Sequence, residues 1–238
     1  MKIIEDIILG ATMRFRVDGP LKLDPGLFRL FLALPEDPLP DFKGPVEGVR
    51  GRCKDHPRYG RWMYAFVKFY KPDVVVEIGT NSGGTAVGTA RALLENGKGR
   101  LICIDNGMGR PRCFPDVARS NIRKTGLTDS RVELICEDSR IALPAAASKL
   151  KGMVDVCLVD AAHDFDNALL DIKDSLPMMK KGGFILVHDI DRNLLLGTEV
   201  SPGHPRPVYE AFHKAIEESG FDWCILKFIR KHLGIIKI

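Results

Sequence analysis

The chain has 238 residues, of which 45% are hydrophobic and 28% are charged, and its formal net charge is +4. This length and composition are typical of one soluble α/β domain with a short extension. The small and scattered positive charge does not favour nucleic-acid binding, and no apolar run approaches the roughly 18 residues that a membrane span requires.

The cysteines indicate a reducing compartment. The chain has six of them, without any CxxC spacing. Cys103, Cys136 and Cys157 lie inside apolar runs, where a reduced thiol packs as a small hydrophobe. Residues 1–8 carry charges within their apolar run, which makes them a poor signal peptide. We therefore expect a cytoplasmic protein.

Residues 1–55 differ from the rest of the chain, and we interpret them as an N-terminal arm or cap. Isoleucines fall on one helical face at Ile3, Ile4, Ile7 and Ile8. Asp24 and Pro25 are suited to open a second short helix, and a proline-rich stretch follows it. We predict a short helical arm, and the apolar faces of residues 3–8 and 27–34 suggest that it forms a homodimer contact.

From residue 56 to residue 238 the pattern becomes regular. Pro57 can open a helix that Pro72 stops, and short apolar strands then alternate with amphipathic helices. Strands are predicted at 74–78, 100–104, 132–136, 154–159 and 183–188. Helices are predicted at 82–95, 116–125, 144–151, 165–176 and 206–219. Such alternation predicts a parallel, doubly wound sheet.

The end of the chain breaks this alternation. Two apolar runs at 221–229 and 233–238 flank a turn near Lys231–Gly234, and we expect them to form an antiparallel hairpin. The predicted fold is therefore α/β, with a doubly wound sheet of seven strands. That sheet is mostly parallel, carries an antiparallel C-terminal hairpin strand, and follows the short N-terminal helical arm.

The most informative stretch joins the first predicted strand of this domain to the helix after it. The β-branched run ends in Glu77, and glycines at Gly79 and Gly83 allow a sharp turn into the helix. Asn81 also tolerates turn geometry. Backbone N–H groups at a helix N-terminus can face an anionic ligand, so we predict a nucleotide-like molecule here. The alternative is an ordinary strand, turn and helix with a hydrogen-bonded Glu77.

Acidic side chains follow the next two predicted strands. Asp105 stands at the tip of the second strand, where a carboxylate can accept both hydroxyls of a ribose. The alternative is a loop aspartate that caps a nearby turn. Asp138 and Ser139 follow the third strand, next to Glu137, and are placed to touch an adenine amino group. That assignment and a purely structural one both stay open.

The fourth and fifth strands also end in polar residues. Asp160 ends the fourth strand, and His163 follows it as a candidate general base near neutral pH. A histidine in this place can instead cap or pack. Asp189 lies at the tip of the fifth strand, so Asp160 and Asp189 could share a divalent cation. The alternative is a hydrogen-bonded pair of loop residues without metal.

Taken together, residues 56–238 resemble the class I S-adenosylmethionine-dependent methyltransferases. The resemblance is carried by five motifs in order: Glu77–Gly83, Asp105, Glu137–Asp138, Val159–His163 and Lys181–Gly183. Within that family the chain is most similar to small-molecule O-methyltransferases. These are the catechol and caffeoyl-CoA type and their sugar- and antibiotic-tailoring relatives.

The resemblance implies S-adenosylmethionine as cofactor, and also a set of site residues. The implied cofactor-binding residues are Glu77, Gly79, Thr80, Asn81, Gly83, Asp105, Asp138, Ser139 and Asp160. It implies His163 and Asp160 as catalytic residues, with Mg²⁺ or another divalent cation at Asp160 and Asp189. Ile190 stands where the family has an asparagine ligand, and His188 or Asp191 are the candidates to replace it.

The implied function is methyl transfer to a hydroxyl oxygen of a small molecule, with or without assistance from a divalent metal. The loop of residues 190–207 is suggested as an active-site lid. One alternative is a nicotinamide-dependent oxidoreductase, but the glycines read GxxxGG and not GxGxxG. The other is a non-catalytic cofactor-binding protein with a regulatory or scaffold role, which the missing asparagine favours.

Overall fold

The computed structural model describes residues 4–8, 14–34, 56–108, 114–190, 203–227 and 232–238. Within them it has nine strands and seven α-helices. They divide into two compact units. The mid-chain unit is Leu23–Ala142, and the two-segment unit combines Met1–Lys22 with Leu143–Ile238. The predicted division into an arm of residues 1–55 and a domain of residues 56–238 stays a prediction.

The mid-chain unit contains three parallel strands. They are β3 (Val74–Ile78), β4 (Arg100–Asp105) and β5 (Val132–Cys136), hydrogen-bonded in that order. All five residues of β3 are buried, as expected for an apolar, β-branched strand inside a parallel sheet. The sequence predicted these strands to within one residue.

The helices of the mid-chain unit are α1 (Pro25–Ala33), α2 (His56–Tyr70), α3 (Gly84–Asn96), α4 (Asp116–Arg123) and the beginning of α5 (Ser139–Leu150). The prediction that α5 starts at residue 144 is wrong, because Pro144 lies inside the helix. The helix begins where Asp138 caps it. The Asp138 carboxylate accepts a hydrogen bond from the Arg140 amide at 3.0 Å, and its carbonyl accepts one from Ala142 at 2.9 Å.

The apolar face of α1 packs inside the chain. The rings of Phe28 and Phe31 lie 6.0 Å and 5.2 Å from the ring of Trp62 on α2, centroid to centroid. Arg61 donates a hydrogen bond at 2.9 Å to the Phe31 carbonyl near the end of α1. This face therefore has an internal partner, and the homodimer contact stays a prediction.

Helices α2 and α3 approach each other through glycines. A Cβ atom added to Gly88 of α3 would lie 2.0 Å from the Gly60 carbonyl oxygen of α2. A Cβ atom on Gly60 would in turn lie 3.0 Å from the Gly84 carbonyl oxygen. The two backbones can therefore pack this closely because neither glycine carries a side chain. The first turn of α3 is held in place by that contact.

The two-segment unit contains six strands in the order β1–β2–β8–β9–β7–β6. Their bounds are Ile4–Ile8, Arg14–Asp18, Asp222–Lys227, His232–Lys237, Met179–Val187 and Val154–Val159, in the same order. Strands β6 and β7 are parallel, and the other pairs are antiparallel. The predicted C-terminal hairpin is confirmed, although Gly234 lies inside β9 and not in the turn.

The helix predicted from the first isoleucines is wrong. Ile4–Ile8 is a strand that pairs antiparallel with Arg14–Asp18 along its whole length. Isoleucine is β-branched and favours extended backbone, so pairing with a neighbouring strand overrides the helical spacing. The arm is helical at α1, and two N-terminal strands add to the seven strands that the sequence predicted.

The remaining helices of this unit are α6 (Phe165–Ser175) and α7 (Pro207–Ser219), which pack against each other. Asp164 caps α6 by accepting a hydrogen bond from the Asn167 amide at 3.0 Å. No helix among the described residues is long and apolar enough to cross a membrane. The proline-rich stretch 35–55 and residues 191–202 of the suggested lid lie outside the described residues.

Candidate active site

The turn between β3 and α3 has the backbone geometry that the sequence predicted. Gly79, Asn81 and Gly83 all have left-handed φ angles, of 86°, 48° and 83°. Gly83 is the N-cap of α3 and supplies no capping side chain. The N-cap residue therefore provides no side-chain acceptor for the first N–H groups of this 13-residue helix. Such N–H groups can bind an anion.

Glu77 is fully buried at the end of β3 and is tied to the same helix. Its Oε1 accepts a hydrogen bond of 2.7 Å from the Thr85 hydroxyl, in the first turn of α3. A carboxylate beside a helix N-terminus is stabilised by the helix dipole. Burial and the charge of Glu77 together raise the pKa of Cys103, its partner on β4, well above the usual range. Thr80 is buried too.

Asp105 is connected directly to the turn. Its Oδ2 accepts a hydrogen bond from the Asn81 amide, and its Oδ1 accepts one from the Gly107 amide, both at 2.8 Å. An ionised carboxylate has about four lone-pair positions, so it retains capacity for two further donors. The structure therefore brings Asp105 and the glycine turn together within one unit.

Asp138 is engaged by a neighbour that the sequence did not single out. The Arg140 guanidinium donates two hydrogen bonds of 2.8 Å to Asp138, from Nε to Oδ1 and from Nη2 to Oδ2. These hydrogen bonds lower the pKa of Asp138 to about 2. Ser139 begins α5 directly after it. Strand β5 pairs with β4, and Cys136, the register partner of Asp105, stands two residues before Asp138.

The two-segment unit gathers the second group of predicted residues. Asp160 follows β6 and Asp189 follows β7, and these strands are parallel neighbours. His163 Nε2 lies 3.5 Å from Asp189 Oδ2 and 3.8 Å from Asp160 Oδ1. The three side chains are between 15% and 20% exposed. The predicted convergence of these residues at one end of the strands is confirmed.

His188, which the sequence suggested only as a replacement metal ligand, has a charge-balancing role that the sequence did not indicate. It is buried, and its Nδ1 lies 3.0 Å from Asp160 Oδ1 and 3.3 Å from Asp189 Oδ1. Burial opposes its charged form, but the two carboxylates outweigh burial and raise its pKa to about 10. Burial likewise opposes ionisation of Asp160, and His188 with His163 lowers that pKa to about 2. The signal available in the sequence is a histidine directly after an apolar strand and directly before an aspartate.

The cluster also has a donor set that fits a divalent cation. Single ligand atoms of Asp160, His163 and Asp189 all lie within 4.8 Å of one another. Two carboxylate oxygens and one imidazole nitrogen suit a transition ion better than Mg²⁺, which prefers oxygen. Ile190 is buried and has no ligand atom. Protonated His188 already balances one carboxylate, so a cation would compete with an internal charge.

Comparisons with known proteins agree with this geometry. A family model described as a methyltransferase domain matches residues 76–190, which is just under half of the chain. Rhamnosyl O-methyltransferase of Mycobacterium bovis is 26% identical to this chain, over 68% of each protein. The protein of the same name from Mycobacterium tuberculosis gives the same figures.

Solved structures share the fold. An O-methyltransferase from Bacillus cereus, solved with SAH, has a TM-score of 0.59 at 19% identity, over 76% of this chain and 81% of that chain. The O-methyltransferase TomG from Streptomyces achromogenes, solved with SAM, also has a TM-score of 0.59, at 20% identity over 91% of each chain.

The parallel strands, the left-handed glycine turn and the antiparallel C-terminal strands together define a class I methyltransferase fold. The family match places a methyltransferase domain over the turn and the strand-end aspartates. The chain is therefore similar to methyltransferases in sequence over residues 76–190, and it shares the fold of solved O-methyltransferases.

The glycine turn leads to a first prediction. Gly83→Ala places a Cβ on a left-handed residue, 3.4 Å from the Ala118 Cα, and we expect a loss of about 1 kcal/mol in the free energy of unfolding. The matched control is Gly97→Ala at the other end of α3, where φ is 71° and the added Cβ has nothing within 4 Å. Urea unfolding should show a similar loss for both variants.

The two variants should differ in cofactor binding. Calorimetry with S-adenosylhomocysteine should show weaker binding for Gly83→Ala and unchanged binding for Gly97→Ala, because Gly97 caps the far end of the helix. Equal affinities for the two variants would contradict the assignment of the turn to the cofactor.

The buried charges of the second cluster lead to a pH prediction. The pKa of His188 is about 10 in the folded protein and about 6.5 in an unfolded chain, so its stabilisation is complete below pH 6.5 and is lost as the pH rises towards 10. His188→Gln should therefore destabilise the protein by about 3 kcal/mol at pH 6, since it leaves buried carboxylates without their cation.

Urea unfolding at pH 6, 7.5 and 9, with a chelator present, checks this prediction. The difference between wild type and His188→Gln should shrink steadily with rising pH. In an Asp160→Asn background the same substitution should cost less and depend less on pH. A difference that stays constant from pH 6 to pH 9 would show that folding does not raise the pKa of His188.

Proposed function

We propose that this protein transfers the methyl group of S-adenosylmethionine to a hydroxyl oxygen of a small molecule, and that the acceptor is a sugar. The observation that carries the proposal is the left-handed Gly79–Gly83 turn, hydrogen-bonded to Asp105 at the start of α3. The similarity to rhamnosyl O-methyltransferases supports the choice of acceptor class.

The mid-chain unit supplies the residues that fit the cofactor. The N–H groups at the start of α3 suit its carboxylate, and Asp105 suits the ribose hydroxyls. Asp138 and Ser139 are proposed to contact the adenine, with the Asp138 carboxylate held in place by Arg140. When bound, S-adenosylmethionine supplies a methyl group on a sulfonium, so the protein has mainly to orient the acceptor and remove a proton.

The two-segment unit supplies the proposed base. His163 takes the proton from the acceptor hydroxyl as the oxygen forms its bond to the methyl carbon and the bond from that carbon to sulfur breaks. Asp160 and Asp189 lie within 3.8 Å of its Nε2, and their negative charge stabilises the imidazolium that results. A histidine oriented by carboxylates is a common form of general base.

A divalent cation is the second element of the proposal. Asp160 and Asp189 would hold it, and its charge would lower the pKa of the acceptor hydroxyl. If His163 Nε2 also binds the cation, that nitrogen cannot accept the proton. Nε2 of His163 can therefore serve as base or as ligand but not as both, and metal titration distinguishes the two roles.

The other two hypotheses from the sequence gain less support. The family model that matches this chain describes a methyltransferase domain, and this does not favour a nicotinamide-dependent oxidoreductase. The convergence of Asp160, His163 and Asp189 suits a transfer reaction, so it favours an enzyme over the non-catalytic alternative. A turnover measurement with S-adenosylmethionine and hydroxylated acceptors tests both alternatives.

His163→Ala tests the base. We expect turnover to fall by about 10²- to 10⁴-fold, the usual contribution of a general base. The affinity for S-adenosylhomocysteine should stay unchanged, because His163 is not among the proposed cofactor-binding residues. Release of S-adenosylhomocysteine and calorimetry measure the two quantities. His232→Ala, on β9, is the control for replacement of a histidine. Equal losses of turnover and cofactor affinity would remove His163 from this role.

Removal of metal tests the second element. Chelator-treated protein should be titrated with Mn²⁺ and Mg²⁺, while electron paramagnetic resonance follows bound Mn²⁺. We expect Mn²⁺ to bind more tightly than Mg²⁺, and Asp189→Asn to weaken it. Loss of Mn²⁺ binding in His163→Ala would assign His163 as a ligand. Full activity with chelator and no bound Mn²⁺ would show that the internal cation His188 suffices.

A further inference from the structure

A second histidine, His204, contacts the helix that follows the proposed base and has no role in the mechanism above. The ring of His204 stacks on the ring of Phe165 with a centroid distance of 3.8 Å and an angle of 3° between the planes. Phe165 is the first residue of α6 and follows His163 by two positions. The stack therefore places the His204 ring beside the segment that carries the base.

A carboxylate fixes the orientation of this ring. Glu210 Oε2 lies 2.6 Å from His204 Nδ1, and Glu210 Oε1 accepts a hydrogen bond from the Arg206 amide at 3.1 Å. An ionised carboxylate can only accept, so Nδ1 must carry the hydrogen. In the neutral imidazole the lone pair is then on Nε2, which becomes a hydrogen-bond acceptor.

The Nε2 atom is available for a ligand. Among the described residues His204 has contacts with Glu210 and Phe165, and none of them provides a hydrogen-bond partner for Nε2. The side chain is 35% exposed. A partly exposed ring with a stacked face and a fixed tautomer has the features of a group preorganised to bind a hydroxyl.

We propose that His204 is an acceptor-binding residue: its Nε2 accepts a hydrogen bond from a hydroxyl of the sugar, next to the hydroxyl that is methylated. This inference rests on the proposed function and adds a residue that determines which acceptors bind. Phe165 and Glu210 are positioning residues, because they set the plane and the tautomer of the His204 ring. Sugars with vicinal hydroxyls offer both groups that the site requires.

Two substitutions separate this role from a structural one. In His204→Asn the amide nitrogen can replace Nδ1 and keep the bond to Glu210, but nothing remains at the position of Nε2. In His204→Gln the longer side chain can place its amide near the position of Nε2, but it loses the geometry at Glu210. A residue that only fastens α7 to α6 should tolerate Asn better than Gln, and an acceptor-binding residue should tolerate Gln better.

The test uses the full chain with p-nitrophenyl α-L-rhamnoside as acceptor. For His204→Asn we expect KM for the rhamnoside to rise about tenfold, the size of one lost hydrogen bond, with kcat within about threefold of wild type. His204→Gln should recover part of that loss. The affinity for S-adenosylhomocysteine and the Tm should stay unchanged, and His232→Asn serves as the control.

Other outcomes overturn the inference. If KM is unchanged in His204→Asn, or if Tm and KM follow each other across the variants, His204 has a structural role alone. Should a His204 variant fail to fold, Phe165→Leu frees the ring without removing Nε2 and must raise KM by itself. Wild-type protein that binds S-adenosylhomocysteine but neither binds nor methylates the rhamnoside refutes the sugar assignment and leaves methyl transfer standing. Protein that does not bind S-adenosylhomocysteine refutes the proposed function.

Discussion

The close backbone contact of α2 and α3 is the constraint on which the position of the glycine turn depends. At Gly88 there is no room for a Cβ atom, and a Cβ atom at Gly60 would lie 3.0 Å from the Gly84 carbonyl oxygen, so side chains at these positions would push the two helices apart. The contact fixes the axis of α3, and the axis fixes where its first N–H groups point. Thr85 in the first turn then meets the buried Glu77, which joins the helix to the end of β3. A looser helix pair would leave this carboxylate buried without its hydroxyl donor, at a cost of about 1–3 kcal/mol.

The second cluster follows a different physical rule, since it is governed by charge balance. Asp160 and Asp189 lie side by side at the ends of parallel strands, where two carboxylates repel each other in a medium of low polarity. Protonated His188 lies between them and offsets that repulsion. A cation at Asp160 and Asp189 would therefore compete with the positive charge of His188. The His163 side chain is more exposed than that of His188.

The sequence predicted what depends on local chemistry. Apolar β-branched runs predicted β3 and β4, and glycine spacing predicted the left-handed turn at Gly83, because few other residues adopt that φ. It failed where distant residues decide. Pro144 lies within α5 because Asp138 supplies an earlier cap. The isoleucines before residue 9 are extended because a paired strand overrides their helical spacing.

The histidines show the same limit at the level of the site. A sequence gives the spacing of His163 from Asp160, and spacing is enough when both follow one strand. The sequence also predicted that Asp160 and Asp189 meet at neighbouring strand ends, but it did not predict that His188 is buried between the two carboxylates or that His204 stacks on Phe165. The protonation of a histidine depends on the charges around it and not on its neighbours in the chain. His188 and His204 therefore differ in kind: the first is held as a buried cation by two carboxylates, and the second has its tautomer set by one carboxylate.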